Sequence, residues 1–392
     1  MAELSLQERA AETFAKLGWP TTRNEAWRYT NLAPLQKIDW RTDDAAQRVE
    51  TFETMAGKAT LELVFVNGRL VERTGSLNST DPGESMIADW ERNAMVALNT
   101  ANQQDGARLE IPAGAVINGF IHLLFVGQGD GIWSHPRNVI VAGSNSQVTV
   151  IETYVGSGNY FTNSVTEIVA RDGAVVDHYR IECESEAAYH VGNVYIQQER
   201  ASSVISRNIV IGAALARVET HVTLGGEGAS VSLDGLFVGN GTQHLDNRTV
   251  IEHAEPHCES HELYKGVLDD HARGVFDGLI IVRPGAQKTI SRQENRNLLL
   301  SETAIIDSKP TLEIHNDDVK CNHGSTIGQI QEEPLFYLRS RGIDEQEARN
   351  LLVLAFAGEI VDRMKIEPVR EQVRRALFRA MPGRLPERRE TR

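Results

Sequence analysis

The chain has 392 residues, 41% of them hydrophobic and 24% charged, and its formal net charge is −14 at pH 7. This length and composition predict a globular protein with one large core and smaller flanking domains. Because nucleic-acid affinity depends on Lys and Arg that neutralise phosphates, the negative charge argues against nucleic acid as a partner.

The N-terminus lacks a signal-peptide pattern and no apolar run reaches the length of a membrane span, so we expect a cytoplasmic protein with no membrane partner. Its three cysteines, Cys183, Cys258 and Cys321, are odd in number and far apart. This spacing favours free thiols in a reducing compartment over a disulfide framework.

Residues 1–105 are predicted to form a mixed, mostly helical N-terminal domain. Apolar residues recur at helical spacing between residues 5 and 17, and Gly18 ends the pattern. The segment NEAWRYTNL follows, and we interpret its aromatic residues Trp27 and Tyr29 as local core; stacking on a ring-shaped ligand is the alternative. Further on, Asn67 and Gly68 in ELVFVNGRLV predict a hairpin turn.

Residues 106–328 are predicted to be all-β, because short alternating runs rich in Val, Ile and Thr follow one another between Gly, Asn and Ser turns. One series of valines recurs at a nearly constant interval: Val148, Val176, Val204 and Val231. A second series recurs at nearly the same interval: Val165, Val194, Val222 and Val250.

Two interleaved series with one period predict a β-helix in which each coil of about 28 residues contributes two strands, each stacked on its equivalent in the next coil. We expect the valines to face inward and positions such as Glu219, His221 and Arg248 to face outward. The alternative is an antiparallel sandwich with chance spacing. The segment 253–274 breaks the period and is predicted to be an inserted hairpin.

Residues 329–392 are predicted to form a helical C-terminal domain. One helix ends near Gly342, a second begins at a capping-box-like pair, Asp344 and Glu347, and a third has Pro368 in its first turn. The last stretch is rich in arginine: Arg370, Arg374, Arg375, Arg379, Arg384, Arg388, Arg389 and Arg392. We interpret this run as a solvated face or tail, with a docking surface for an acidic partner as the alternative.

No phosphate-binding loop, nucleophile elbow or zinc-binding helix motif is recognisable. Some β-helix proteins cleave carbohydrate with carboxylates on an outer face, so a stand-alone carbohydrate-active enzyme is an alternative function. No pair of acidic residues stands out by its spacing.

Cys321 and His323 form the first candidate metal site. One residue separates them at the end of a predicted strand, so both side chains point to one side and could bind one soft or borderline metal. Two ligands do not complete a site, and simple packing of both residues is the alternative. Gly324 and Gly328 predict that the chain turns sharply here from strand to helix.

A second candidate comprises His253, His257, Cys258 and His261, three imidazoles and a thiol in one short segment. Their spacing matches no standard zinc motif. We therefore expect polar surface on the inserted hairpin, with metal binding as the alternative.

Several segments resemble the SufB/SufD family of iron–sulfur cluster assembly subunits. They are NEAWRYTNL, KGVLDDHARGVFDGLIIVRPGAQKT, NRNLLLS, KPTLEIHNDDVKCNHGSTIGQ and FYLRSRGI. Gly324 follows the motif histidine where SufB has an acidic residue, which favours the SufD branch. The resemblance implies a right-handed parallel β-helix core, a largely helical N-terminal part and a helical C-terminal domain.

The resemblance also implies a non-catalytic scaffold that pairs with SufB through the β-helices and binds the ATPase SufC through its C-terminal helices. A transient iron or iron–sulfur cluster would form at the SufB–SufD interface, with His323 as a ligand beside a SufB cysteine and Cys321 close by. His315 is either an auxiliary donor or a bystander. A reduced flavin could take part in the complex, and the isolated chain could form a homodimer.

Overall fold

The computed structural model describes residues 4–43, 55, 58–84 and 86–381. Its strands, in chain order, are β1 (Leu61–Val66), β2 (Arg69–Gly75), β3 (Gly106–Ile111), β4 (Ile121–Gln128), β5 (Ile132–Ser134), β6 (Arg137–Ala142), β7 (Gln147–Ser157), β8 (Tyr160–Ala170), β9 (Val175–Cys183), β10 (Tyr189–Gln198), β11 (Ser203–Val210), β12 (Leu215–Leu224), β13 (Ser230–Gly239), β14 (His244–His253), β15 (Glu259–Leu268), β16 (Arg273–Val282), β17 (Ile290–Leu299), β18 (Ile305–Ile314) and β19 (Lys320–Gln329). Its α-helices are α1 (Leu6–Leu17), α2 (Ala94–Asn102), α3 (Glu332–Ser340), α4 (Glu345–Val361) and α5 (Glu367–Ala380).

The strands form two sheets that wind around a common core, which confirms the predicted parallel β-helix. Sheet 1 has the order β19-β17-β15-β13-β11-β9-β7-β4-β1-β2, and sheet 2 has the order β18-β16-β14-β12-β10-β8-β6-β3 with β5 beside β8. From β7 onward, successive strands alternate between the sheets and each pairs in parallel with its equivalent in the next coil. This arrangement excludes the antiparallel sandwich.

The strand β1, which sequence analysis assigns to the N-terminal domain, pairs in parallel with β4 and so extends sheet 1. On its other side it pairs with β2 in an antiparallel hairpin. Asn67 and Gly68 form the predicted turn with φ values of 48° and 81°, the left-handed region that such a turn requires. The predicted domain limits at 105 and 328 stay predictions.

The first valine series was placed in the correct register. Val148 lies beside Val176, Val176 beside Val204, and Val204 beside Val231, and all four side chains are buried in the core of the β-helix. A column of equivalent β-branched residues stacks well because each fills the same space in its own coil.

The predicted register of the second valine series was wrong. Val165 lies beside Asn193 and packs outside the β-helix, whereas Val194 lies beside Thr220 and faces inward. The residues that stack on one another are Ile168, Ile196, Val222 and Ile251, and their spacing along the chain is uneven. Coil length therefore varies in the turns, and a one-residue slip moves a side chain to the other face.

The predicted insertion at 253–274 was also wrong, because this segment contains the end of β14, all of β15 and the start of β16, each in register with its neighbours. The hydrophobic alternation is lost because inward positions carry polar side chains such as His253 and Ser260. The turn predicted at Gly324 and Gly328 is likewise absent, since β19 continues through both residues.

The N-terminal residues cover the outer face of sheet 2. Trp27 is 7% exposed and packs with Leu32 and Leu35, which confirms the local-core interpretation for this residue. Tyr29 is half-buried beside the guanidinium of Arg28 and is not part of this cluster. The guanidinium of Arg217 lies 4.0 Å from the centre of the Trp27 ring. The predicted first helix, α1, begins with a Ser5–Glu8 capping box.

Helices α4 and α5 cover the outer face of sheet 1. Val353, Ile360 and Val373 from the helices are buried in one cluster with Tyr179 and Leu236 from the sheet. Lys265 fixes this packing, because its Nζ donates to the carbonyl of Phe356 at 2.9 Å and lies 2.5 Å from Glu359. The helical stripes are therefore largely buried by the chain itself.

The C-terminal arginine run is only partly described. Arg370 pairs with Glu367, and Arg374 pairs with Glu371 and Asp362. Arg384, Arg388, Arg389 and Arg392 lie outside the described residues. Over the described ranges, no helix is both long enough and apolar enough to cross a membrane.

Candidate functional site

The β-helix stops in half a coil. β19 pairs with β17 and β18 with β16, and within the described chain no strand pairs with the outer edge of either. The residues of β8 are all buried, whereas β19 is exposed along almost its whole length. We call the inward-facing surface of β18 and β19, together with their unpaired edges, the open end.

Cys321 and His323 both lie on the inward face of β19, as predicted. Their register partners in β17, Ser291 and Gln293, are buried inside the β-helix. Cys321 is half-buried against the core, whereas His323 is exposed at the open end. Burial raises the pKa of the Cys321 thiol, so this thiol is protonated at neutral pH.

His315 lies in the turn between β18 and β19, also at this end. Its ring is exposed, and its backbone N–H donates to the carbonyl of Val282 at 2.9 Å. In the described part of the chain, Cys321, His323 and His315 do not form a group of three donor atoms close enough to hold one metal ion. The chain by itself therefore offers an incomplete ligand set here.

The second candidate set is divided between the inside and the outside of the β-helix. His253 is fully buried with Nε2 2.9 Å from Ser260 Oγ, and Cys258 is fully buried with Sγ donating to the carbonyl of Gly226 at 3.3 Å. His257 is exposed in a turn and His261 is exposed on β15. Burial lowers the pKa of His253 to about 4, so the ring is neutral. These residues do not form one site.

A shallow groove of about 410 Å³ runs along the outer face of sheet 1 beside the motif. Its walls are Arg292, Glu294 and Arg296 on β17, and Asn322, Gly324 and Thr326 on β19, with His323 at the rim. Glu294 pairs with both arginines, so these three side chains leave one net positive charge in the groove. A Cβ added at Gly324 would meet no heavy atom of the described residues within 4 Å, so the outer face of β19 is unobstructed at this position.

Sequence analysis missed a buried ionic network inside the coil formed by β9 and β10. Arg180 is 1% exposed, and its Nε donates to Glu182 Oε1 at 2.7 Å and its Nη1 to Glu152 Oε2 at 3.1 Å. The His190 Nδ1 lies 2.6 Å from Glu184 Oε2. Burial raises the pKa of Glu184 to about 8 and lowers that of His190 to about 4.

Among the described residues, one group of three His, Cys, Asp or Glu side chains has possible metal-ligand atoms that all lie within 4.8 Å of one another. It consists of Glu182, Glu184 and His190. Arg180 donates to His190 Nε2, so the single proton of the neutral ring lies on Nδ1 and is shared with Glu184. Neither ring nitrogen then has a free lone pair for a metal. We interpret this group as a closed hydrogen-bonded network around Arg180.

A second missed feature lies directly beneath the motif. Glu262 on β15 and Gln293 on β17 occupy the inward position that His323 occupies on β19. A signal was present in the sequence, since SHELY, SRQEN and CNHGS place polar residues at the same alternating positions, one coil apart. That alternation indicates three polar inward faces stacked in successive coils.

The chain is thus a parallel β-helix protein that places a thiol and an imidazole on the inward face of its last strand, at an open end. The residues 125–356 match the family model of the SUF system FeS cluster assembly SufBD core domain. An iron–sulfur cluster assembly SufBD family protein of Synechocystis is 32% identical over 95% of this chain and 89% of that protein. The iron–sulfur cluster assembly protein SufD of Escherichia coli is 30% identical over 94% of this chain and 90% of that protein.

The SufD protein of Bacillus subtilis is 29% identical over 72% of this chain and 66% of that protein. The chain therefore belongs to the SufBD family of iron–sulfur cluster assembly proteins, which confirms the resemblance found in its sequence. The family match also disfavours the alternative of a stand-alone carbohydrate-active enzyme.

Proposed function

We propose that this chain is the SufD-type, non-catalytic scaffold subunit of a cytoplasmic SufBCD complex. It pairs with SufB through the open end, binds SufC through its C-terminal helices and contributes His323 as a ligand to iron or a nascent cluster at the subunit boundary. The cluster is the cargo of the complex, so the chemistry that this chain supplies is donor atoms, their orientation and shielding from water.

The proposed pairing with SufB rests on the open end. An exposed edge strand presents unpaired N–H and C=O groups and is a template for a strand from another chain. Proteins usually cover or shorten such edges, yet β18 and β19 are both long strands, β19 is exposed along almost its whole length and β18 is mostly half-buried. Ile305, Ile314 and Ile327 add exposed apolar surface on these two strands. A second β-helix with a similar end would satisfy both strands at once.

The incomplete ligand set supports a shared metal site. Cys321 and His323 supply one soft and one borderline donor from one face of β19, and a partner that covers the open end would place its own donors against them. A boundary between subunits also allows the site to be opened and closed by relative movement. The expected ligand at this boundary is His323, with Cys321 close by.

The docking of SufC is proposed for the exposed part of the C-terminal domain. The apolar stripes of α4 and α5 do not serve this purpose as whole surfaces, since sheet 1 buries most of them. Phe336 and Tyr337 on α3 are 72% and 56% exposed, and Leu351 on α4 is 41% exposed. Aromatic side chains exposed to this extent are typical anchors of protein–protein interfaces.

The variant His323→Ala tests the ligand role. It should retain SufB and SufC on co-purification, because the backbone edges of β18 and β19 and the exposed residues of the C-terminal helices are unchanged, and it should lose cluster assembly in the reconstituted complex. His261→Ala is the matched control, an exposed imidazole on the outer face of β15, and should assemble normal clusters. A normal cluster yield from His323→Ala would remove this residue from the mechanism.

A further inference from the structure

The interior of the β-helix beneath His323 carries two polar side chains in a position that is apolar one coil earlier. Leu233, Glu262, Gln293 and His323 occupy equivalent inward positions in four successive strands of sheet 1. Glu262 is 3% exposed and Gln293 is fully buried. Burying a carboxyl and an amide costs free energy unless both are hydrogen-bonded, so packing alone does not account for this column.

Gln293 is held in a defined orientation. Its Nε2 donates to Glu262 Oε2 at 2.7 Å, and burial raises the pKa of this carboxyl to about 7. Gly278, from sheet 2, makes room for the amide, since a Cβ at this position would lie 2.3 Å from Gln293 Nε2. The other end of the amide, Oε1, is buried and has no hydrogen-bond partner among the described residues.

His323 is the next side chain in the column. Adjacent strands lie about 4.8 Å apart, which brings an imidazole on β19 within reach of a glutamine amide on β17. A metal-ligating histidine usually donates its second ring N–H to an acceptor, and this bond fixes the tautomer and the ring orientation. Gln293 lies one strand below the motif histidine, and its buried Oε1, which has no partner among the described residues, is the acceptor that such a ligand needs.

We propose that Gln293 is a positioning residue for His323: its Oε1 accepts the ring N–H that faces the interior, and Glu262 holds the amide in that orientation. The inference rests on the proposed role of His323 as a ligand. It adds two residues to the site that touch neither metal nor partner. Their effect is to leave one defined ring nitrogen unprotonated and directed at the subunit boundary.

The tautomer of His323 in the full-length chain tests the proposal without any metal. The chain is labelled with ¹⁵N-histidine, and long-range ¹H–¹⁵N correlation reports which ring nitrogen carries the proton. His323→Ala assigns the signal among the 12 histidines. The native chain should show one tautomer, whereas Gln293→Met, which keeps the side-chain volume and removes the acceptor, should show both.

Two further variants give the test its controls. The exchange Glu262→Gln with Gln293→Glu keeps an acceptor beneath His323 and should restore the single tautomer. Asn208→Leu removes a buried amide that bonds to Asn247 elsewhere in the interior and should leave the His323 signal unchanged. Equal tautomer populations in the native chain and in Gln293→Met would overturn the proposal, as would a mixture in the native chain.

The reconstituted complex separates this inference from the proposed function. Gln293→Met should lower the cluster content about tenfold, the typical loss when a partner of a ligating histidine is removed. If His323→Ala assembles normal clusters, the ligand role fails whatever the tautomer shows. If His323→Ala fails but Gln293→Met changes neither the tautomer nor the cluster content, the ligand role stands and the positioning role fails.

Discussion

Three carboxylates lie inside the β-helix close to a single guanidinium. Although burial opposes ionisation, the hydrogen bonds and charges of His178 and Arg180 lower the pKa of Glu152 to about 2. Glu184 does not share this stabilisation to the same extent, and burial raises its pKa to about 8. At neutral pH the folded protein therefore keeps Glu184 protonated, while the unfolded chain ionises it above about pH 4.3.

This difference predicts a pH-dependent effect of Glu184→Gln. Between about pH 4.3 and pH 8 the unfolded native chain releases the Glu184 proton and the folded chain does not, so stability falls as pH rises. Glutamine has no such proton, and its carbonyl still accepts from His190. The free energy of unfolding of the variant should therefore rise, relative to that of the native protein, by about 1.4 kcal/mol for each pH unit across this window.

Denaturant midpoints of both proteins near the two ends of this window measure the effect. Other groups titrate alike in the two proteins and cancel in the comparison. Ala187→Gln, at an exposed position in the same loop, removes no ionisable group and should show no trend with pH. A gap between Glu184→Gln and the native protein that stays constant with pH would contradict the predicted shift.

Single residues also mark the limit of prediction from sequence. The inward valines of sheet 1 and the same-side placement of Cys321 and His323 were predictable, because both follow from the period of two along a strand. Arg180 and Gln293 were not recognised, because inward polar residues look like loop or surface residues when only hydrophobicity is counted. The same property made 253–274 resemble an insertion.

The unpaired edge of β19 carries backbone N–H groups that a partner strand could use. Successive N–H groups of a strand point to opposite sides within the sheet, and the N–H of Lys320 donates to Thr289 beneath it. The N–H groups of Cys321, His323, Ser325 and Ile327 therefore point to the unpaired edge. A partner strand would use these groups and leave the bonds between β19 and β17 intact.

Ile327→Pro tests this use of the edge. Proline removes one N–H that faces outward and is tolerated on an edge strand for that reason. The variant should fold and still bind SufC, but its affinity for SufB should fall. Ile327→Ala removes most of the side chain and keeps the N–H, so it separates backbone pairing from side-chain contact in the same binding assay. Equal SufB affinity for Ile327→Pro and Ile327→Ala would argue against strand pairing at this edge.

The exposed aromatic residues of helix α3 are predicted to bind SufC. The double variant Phe336→Ser with Tyr337→Ser removes two exposed aromatic rings and should weaken SufC binding at least tenfold, since buried aromatic anchors contribute about 2 kcal/mol or more to an interface. Val116→Ser, at a 59% exposed position far along the chain, is the control and should bind normally. Undiminished SufC capture by the double variant would place the docking surface elsewhere.

At the scale of the whole molecule, the helical C-terminus is part of the core. We expect a chain that ends after Gly342 to expose the outer face of sheet 1, including Tyr179, Ile209 and Leu236, and to aggregate. Size-exclusion chromatography and binding of a hydrophobic dye measure this result. A monomeric, dye-silent fragment would show that sheet 1 is stable without α4 and α5.

The broad architecture could be predicted from the sequence alone, but the packing of the helices on the sheets could not. Strand content, the repeat and the C-terminal helices follow from local patterns. The packing of α4 and α5 on sheet 1 depends on apolar residues such as Ile209, Leu236 and Val353 that are far apart in the chain. No local pattern says which face will cover which, so this packing was not predicted.

The two ends of the β-helix differ. At the N-terminal end the chain reverses direction, and β2 runs antiparallel to the file of parallel strands. At the other end the file simply stops at β18 and β19. A β-helix with a pairing edge at both ends could add further copies and grow into a fibre, whereas one with a pairing edge at a single end can bind only one partner there. In the pairing proposed above, each open end would be covered by the other, and assembly would stop at a pair with the donor atoms of β19 enclosed between the two subunits.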